Sequence, residues 1–167
     1  TLGKSDQLRL FKLFLESLAI ALKEIQKQYC CHFVLLPFRI EEGDDDRVPL
    51  DRLMNLVGTT NYTSQSYSTD PFTVKRLLSS CKLMIGMRLH SCILALSECI
   101  PVLGINYDPK VTKMLVDLEL QDSILNIRNA NSGEYKRKIE DCLNCKRKSF
   151  NSLIDSKISK ARGVYMK

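Results

Sequence analysis

The sequence has no tryptophan, only two histidines, and few residues that break regular structure, with seven glycines and five prolines among 167 residues. This scarcity excludes collagen-like and low-complexity chains, and a hydrophobic content of 44% with 26% charged residues excludes an intrinsically disordered one. Glycine-rich phosphate-binding motifs are absent, which excludes a Walker-type nucleotide site. The composition therefore predicts one globular domain with an ordinary hydrophobic core.

Long apolar runs are also missing. The richest, residues 13–22, is interrupted by Glu16 and followed by Lys23 and Glu24, and it falls short of the about 20 residues that a membrane span needs. Residues 1–6 lack the basic and apolar regions of a signal peptide. Seven cysteines, mostly inside apolar runs, are typical of a reducing compartment. We therefore predict a cytoplasmic protein, with peripheral contact at the inner face of the membrane as a second hypothesis.

The excess positive charge lies in the C-terminal part of the chain. Residues 1–133 contain 15 Lys/Arg and 15 Asp/Glu, whereas residues 134–167 contain 10 and 4. A charge-balanced body argues against nucleic acid as a partner, and a basic tail can attract anionic lipid or a phosphorylated ligand. A merely solvated basic face is an equally open interpretation of the tail.

Apolar residues recur every three or four positions from residue 5 to 28, which predicts an amphipathic helix capped by Ser5 or Asp6. Buried strands and helices then alternate, which indicates an α/β domain with a Rossmann-like parallel sheet and helices on both faces. The predicted strands are residues 32–38, 59–67, 83–87, 102–106 and 124–127. The predicted helices are residues 49–57, 70–80, 88–98 and 108–120, and residues 41–46 are predicted to form an acidic loop.

The last segment, residues 133–163, predicts a long amphipathic helix with basic residues opposite an apolar stripe. We therefore divide the chain into a Rossmann-like domain, residues 1–132, and a C-terminal helical segment, residues 133–167, packed on that domain. The chain opens on a helix, although a doubly wound sheet usually opens on a strand. This order predicts one half of a larger protein whose N-terminal domain is missing from this chain.

Two predicted strand-to-helix junctions place cations where parallel α/β sheets bind ligands. Arg88 and His90 fall in the first turn of one helix, and Lys110 falls in the first turn of the next. Cations at a helix N-terminus oppose the helix dipole unless an anion pairs with them. If the two strands are sheet neighbours, about 4.8 Å apart, the three side chains can converge on one anionic ligand. Taken singly, a solvated arginine or a structural histidine is the simpler interpretation.

The stretch from Met84 to Val111, MIGMRLHSCILALSECIPVLGINYDPKV, resembles the signature block of the polysaccharide pyruvyl transferases in its Met-Arg-Leu-His and Tyr-Asp-Pro-Lys turns. The resemblance extends more loosely to residues 33–38 and 70–80. It differs at Cys99, where the family more often has glycine, and this difference bears on packing rather than chemistry. The resemblance implies the C-terminal half of a GT-B-like enzyme with two Rossmann-like domains.

The resemblance also implies an activity. Such an enzyme transfers pyruvate from phosphoenolpyruvate to a sugar of a cell-surface polysaccharide, or of its lipid-linked precursor, as a cyclic ketal and without a metal or cofactor. Arg88 and Leu89 would bind the donor, Lys110 would neutralise its phosphate, and His90 would be the general acid near the enol carbon. This chain alone would fold but would not turn over.

Two alternative functions stay open. The first is one half of a GT-B-type glycosyltransferase or a sugar-nucleotide epimerase, since fold alone does not decide function. The second is a noncatalytic binding module with a vestigial pocket. Binding of phosphoenolpyruvate rather than nucleotide sugars would separate the leading hypothesis from the first alternative.

Two other clusters are weaker candidates. Cys142 and Cys145 have the spacing of half a zinc or redox site, but the sequence has no second such pair and both histidines are distant. Asp44, Asp45 and Asp46 could bind a cation, yet a solvated loop or a helix N-terminus accounts for them more simply. We predict no metal site from either cluster.

Overall fold

The computed structural model describes residues 3–144, 152 and 156, and it confirms an α/β protein with parallel strands. The α-helices of the described residues are α1 (Lys4–Tyr29), α2 (Arg47–Val57), α3 (Pro71–Leu78), α4 (Leu89–Ser97), α5 (Pro109–Asp117) and α6 (Ser132–Asn144). The strands are β1 (Phe33–Leu35), β2 (Ile40–Glu41), β3 (Asp44–Asp45), β4 (Tyr62–Ser64), β5 (Met84–Gly86), β6 (Val102–Ile105) and β7 (Ile124–Leu125). A short 3₁₀ turn, Gln121–Ser123, precedes β7.

Helix α1 follows from its apolar spacing, which buries one face of the helix, including Phe14 and Leu18. The predicted cap was wrong. Gly3 is the extended residue before the helix and has no side chain to bond the first amides, so Ser5 and Asp6 lie inside the first turn. The helix ends at Tyr29, and Cys30 caps it: its backbone is left-handed, and its N–H donates to the carbonyl of Gln26 at 2.9 Å.

The described residues form two compact units, and the first consists of residues 3–69 and 126–137. It contains α1, α2, and a parallel pair of β1 with β4 in which Phe33 lies opposite Tyr62. The helix predicted over 49–57 is confirmed as α2, which ends at Val57 and is capped by Gly58, at a positive φ of 68°.

The predicted acidic loop over residues 41–46 was wrong, because this segment forms most of a small antiparallel hairpin of β2 and β3. Gly43, at φ 79°, makes the turn. The guanidinium of Arg39 bridges the two strands, lying 2.7 Å from Glu41 and 2.8 Å from Asp44. Charge neutralisation across the hairpin therefore makes an acidic segment compatible with strand pairing.

The second unit consists of residues 70–125 and 138–144. Its core is a parallel sheet in the order β5, β6, β7, and every residue of the central strand β6 is buried. Helix α3 begins as predicted at Asp70 and Pro71, because the carboxylate of Asp70 accepts hydrogen bonds from the amides of Phe72 and Thr73. Helices α4 and α5 connect successive strands of the sheet.

All five strands predicted from the sequence are present, but their hydrogen bonds do not join them into one sheet. Among the described residues they form the β1–β4 pair and the β5–β6–β7 sheet, beside the β2–β3 hairpin. The α/β class with parallel strands is therefore confirmed. A continuous Rossmann-like sheet, its place in a GT-B-like fold, and the division at residues 132 and 133 stay predictions.

Helix α6 confirms the start of the predicted C-terminal helix. In the first unit, Tyr135 is fully buried, stacks edge-on against Phe14 with ring centroids 5.6 Å apart, and donates its hydroxyl to the carbonyl of Asn126. In the second unit, Nζ of Lys138 donates to the carbonyls of Asp122 and Ile124. The predicted continuation to residue 163 lies almost entirely outside the described residues. No helix within the described part of the chain is long and apolar enough to span a membrane.

Candidate active site

The carboxyl ends of β5 and β6 lie next to each other. The strands are parallel, with Met84 opposite Val102 and Gly86 opposite Gly104. The predicted convergence on one ligand required that the strands before Arg88 and before Lys110 be neighbours in the sheet, and this requirement is confirmed. Neighbouring strands are about 4.8 Å apart, so the turns after Gly86 and after Ile105 leave the sheet side by side.

The first backbone amides of helix α4 have no hydrogen-bond acceptor among the described residues. Arg88 is the N-terminal cap residue, in an extended conformation, and its side chain cannot accept a hydrogen bond from the helix. The hydroxyl of Ser91 donates to the Arg88 carbonyl at 2.7 Å. No acceptor from the described residues bonds the amides of Leu89 and His90. This turn therefore presents backbone donors and the positive end of a helix dipole directly after the half-buried Arg88, and His90 in the same turn is exposed to solvent.

Helix α5 begins differently. Oδ1 of Asp108 accepts a hydrogen bond from the amide of Lys110 at 2.8 Å, and Pro109 takes the first helical position. The predicted start of this helix at residue 108 is confirmed, and the chain supplies its own carboxylate at this junction, close in sequence to the cation of Lys110. The ammonium-bearing side chain of Lys110 is exposed, and its role in neutralising a ligand stays a prediction.

Two glycines that the sequence analysis did not single out allow both helices to approach the sheet. A Cβ on Gly86 would lie 2.6 Å from Sγ of Cys92, and one on Gly104 would lie 2.5 Å from Cδ1 of Leu115. Because the two glycines are register partners, α4 and α5 pack on the same face of the sheet. The sequence contains a signal for this close packing, because Met84–Gly86 and Val102–Gly104 share a pattern of two apolar residues followed by a glycine.

A family model for polysaccharide pyruvyl transferases matches residues 4–109, nearly two thirds of the chain. The chain belongs to the polysaccharide pyruvyl transferase family. The match begins at the first residue of α1, so it extends well beyond the block that carried the resemblance in the sequence. It includes Arg88, Leu89 and His90, and it ends one residue before Lys110. No solved structure matches the chain.

The buried cysteine of α4 has a structural role. Cys92 is fully buried in α4, and burial raises the pKa of its thiol to about 11, with the Ser91 hydroxyl opposing the shift. The thiol is therefore protonated at neutral pH and does not act as a nucleophile. Cys142 is half-buried, and Cys145, the other member of the predicted pair, lies outside the described residues.

The three aspartates considered as a cation site form ion pairs or hydrogen bonds with other residues of the chain. Asp44 pairs with Arg39, and Asp45 pairs with Arg47 at 2.6 Å, a hydrogen-bonded contact that lowers the pKa of Asp45. Asp46 is buried and accepts a hydrogen bond from the amide of Phe38 at 2.9 Å. In the part of the chain that the structure describes, no group of three or more His, Cys, Asp or Glu side chains is arranged to hold a metal ion.

Proposed function

We propose that this chain forms the donor-binding side of a pyruvyl transferase that uses phosphoenolpyruvate. Membership of the family supports the class of reaction. The observation that carries the choice of donor is the first turn of α4, where Arg88 directly precedes the amides of Leu89 and His90, which have no acceptor among the described residues. Planar donors in this arrangement suit a carboxylate or a phosphate, and phosphoenolpyruvate has both.

We assign to His90 the proton transfer that starts the reaction. It occupies the second position of α4, directly after the residues proposed to hold the donor, and its ring is exposed rather than packed in the core. Protonation of the enol methylene carbon gives a methyl group and an electron-poor carbon beside it. Two hydroxyls of the acceptor then bond to that carbon and phosphate leaves with its bridging oxygen. One hydroxyl proton passes to the phosphate, and the other returns to His90 directly or through solvent. Histidine suits this role because its ordinary pKa, about 6.5, lies near neutral pH.

Lys110 and a second domain complete the proposal. The exposed Lys110 side chain would neutralise the departing phosphate from the neighbouring strand end. An upstream Rossmann-like half would provide the opposite wall of a GT-B-like cleft and help orient two acceptor hydroxyls. Orientation of this kind can contribute about 7–11 kcal/mol to a barrier reduction. On this basis the isolated chain binds phosphoenolpyruvate weakly and releases no phosphate.

The test separates donor binding from chemistry in the full-length protein. Arg88→Lys should weaken phosphoenolpyruvate binding about ten-fold by calorimetry, because a point charge cannot replace a bidentate fork. His90→Ala should lower the rate of phosphate release about 10²- to 10⁴-fold and leave the donor Kd nearly unchanged. Unchanged donor affinity in Arg88→Lys, or near-normal turnover in His90→Ala, contradicts the assignment.

Matched controls are available for both variants. Arg76, exposed in α3, gives Arg76→Lys as a control for the loss of a guanidinium. His32 is the other histidine, and its ring nitrogens lie 2.8 Å from Asn61 Oδ1 and from Thr63 Oγ1, which ties β1 to β4. Neither control substitution should change the donor Kd or, where the protein stays folded, the rate.

A cytoplasmic enzyme with a lipid-linked acceptor would also account for the basic residues of 134–167. We propose that they favour anionic membrane surfaces. Co-sedimentation with vesicles of phosphatidylcholine and increasing phosphatidylglycerol should rise with anionic content and fall at high salt. Binding that is independent of both would contradict an electrostatic contact.

A further inference from the structure

The two junctions of the site differ in charge. At the start of α4, a guanidinium and open amides favour an anion, whereas at the start of α5 the chain places the carboxylate of Asp108 on its own helix. The exposed Lys110, two residues further on, balances that carboxylate, so the start of α5 carries one charge of each sign. A neutral polyol can hydrogen-bond the Asp108 carboxylate there without conflicting with the role proposed for Lys110 at the phosphate.

One oxygen of the Asp108 carboxylate can accept a further hydrogen bond. Its Oδ1 accepts from the amide of Lys110, and no residue in the described ranges hydrogen-bonds Oδ2. The equivalent cap of α3 is saturated: Oδ1 of Asp70 accepts from Phe72, and Oδ2 accepts from both the amide and the hydroxyl of Thr73. A half-buried carboxylate oxygen at the edge of a ligand site is a strong acceptor for a hydroxyl.

Tyr107, the residue before this cap, presents an aromatic ring at the same edge. Its side chain is 52% exposed, although its backbone lies between two fixed points. On one side the amide of Asn106 donates to the carbonyl of Leu125 at 3.1 Å, and on the other Asp108 caps α5. The turn that carries Tyr107 is therefore fixed on both sides, and about half of the residue's surface is open to solvent. An aromatic face with partial negative charge packs well against the C–H face of a pyranose.

Resting on the proposed function, we propose that Tyr107 and Asp108 form the subsite for the acceptor sugar. The ring of Tyr107 packs against the C–H face of a neutral pyranose, and Oδ2 of Asp108 accepts a hydrogen bond from a hydroxyl of the same sugar. The sugar then lies one strand away from the donor at Arg88, which brings its hydroxyls beside the reacting carbon.

The experiment measures acceptor and donor separately in the full-length protein. Phosphate release is followed at saturating phosphoenolpyruvate with a panel of methyl hexopyranosides, donor Kd is measured by calorimetry, and sugar binding is measured by saturation-transfer NMR with and without donor. Tyr107→Ala should raise the acceptor KM about ten-fold, while Tyr107→Phe keeps the ring and should stay within about three-fold of wild type. Asp108→Asn should raise the acceptor KM about ten-fold, because an N–H₂ group replaces the accepting oxygen while the cap is kept. The donor Kd should stay within about two-fold in all three variants.

Two matched controls test whether these effects are specific. Asp70→Asn makes the same chemical change at the saturated cap of α3, and Val116→Ala truncates a side chain of equal exposure, 51%, at the far end of α5. Neither should change the acceptor KM.

The outcomes distinguish the two proposals. If wild-type protein does not bind phosphoenolpyruvate, the proposed function is overturned. The subsite is still supported in that case if the wild type gives saturation-transfer signals from the sugars and Tyr107→Ala does not. Donor binding with an unchanged acceptor KM in Tyr107→Ala and Asp108→Asn overturns the subsite, as does the absence of sugar binding by NMR. Equal losses of donor and acceptor affinity indicate a structural role and also overturn it.

Discussion

Replacement of Gly104 by alanine tests how closely α5 packs on the central strand of the site. A Cβ at this position would lie 2.5 Å from Cδ1 of Leu115 and 2.7 Å from Cγ1 of Val111. Both side chains are completely buried, so neither has free volume into which to move, and the β-branched Val111 also has few accessible rotamers. The new methyl must therefore displace α5 or distort β6.

We expect Gly104→Ala to lower the free energy of unfolding by about 1–2 kcal/mol. Overpacking costs about 1–3 kcal/mol, and the smaller entropy loss of alanine relative to glycine offsets about 0.5–1 kcal/mol. Urea unfolding followed by far-UV circular dichroism should show a lower midpoint with an unchanged slope. Gly133→Ala, in α6, is the control: its Cβ would meet only Oδ1 of Asn131, at 3.3 Å, so it should not lower the stability and should raise it by at most about 1 kcal/mol.

A second substitution checks the cause. Leu115→Ala alone should cost about 2–5 kcal/mol, because it leaves a cavity in the core. Combined with Gly104→Ala, it should cost less than the sum by at least about 0.5 kcal/mol, since the shortened side chain no longer meets the new methyl. Additive costs, or a Gly104→Ala protein as stable as wild type, would refute the close packing of α5 on β6.

Further predictions concern two buried groups that titrate. Burial raises the pKa of Tyr135 to about 12, and the charge of Glu134 adds to the shift. The neutral phenol therefore stabilises the folded state below its unfolded pKa of about 10, and this contribution is lost as the pH rises towards 12, so wild type should lose more stability than Tyr135→Phe over that interval. Chemical unfolding of both proteins at pH 8 and pH 11 measures this difference, and equal losses would contradict it. The Cys92 thiol, with its pKa raised to about 11, should react with a maleimide at pH 8 only as the protein unfolds, whereas the exposed Cys30 reacts at once. Mass spectrometry of labelled peptides over time measures the two reaction rates. Equal rates for Cys30 and Cys92 would contradict the burial of the Cys92 thiol.

Local signals in the sequence were sufficient to predict most of the helices and strands. The caps at Asp70 and Asp108, each followed by proline, determine where α3 and α5 begin, because a short carboxylate satisfies first-turn amides within three residues. The 3.6-residue periodicity determined α1, and the continuous apolar run of β6 identified a strand buried on both faces. The motif containing Arg88 and His90 likewise identified the family before any geometry was considered.

Other features depend on residues that are distant in sequence, and only the tertiary structure decided them. Strand pairing is set by long-range hydrogen bonds, so the separate β1–β4 pair could not be read from strand patterns alone. The hairpin at residues 40–45 forms because Arg39 neutralises carboxylates on both strands, a contact that opposes the preference of an acidic run for a solvated loop. The neighbouring position of the two junctions also required coordinates, because the order of parallel strands in a sheet depends on pairing between residues that are distant in sequence.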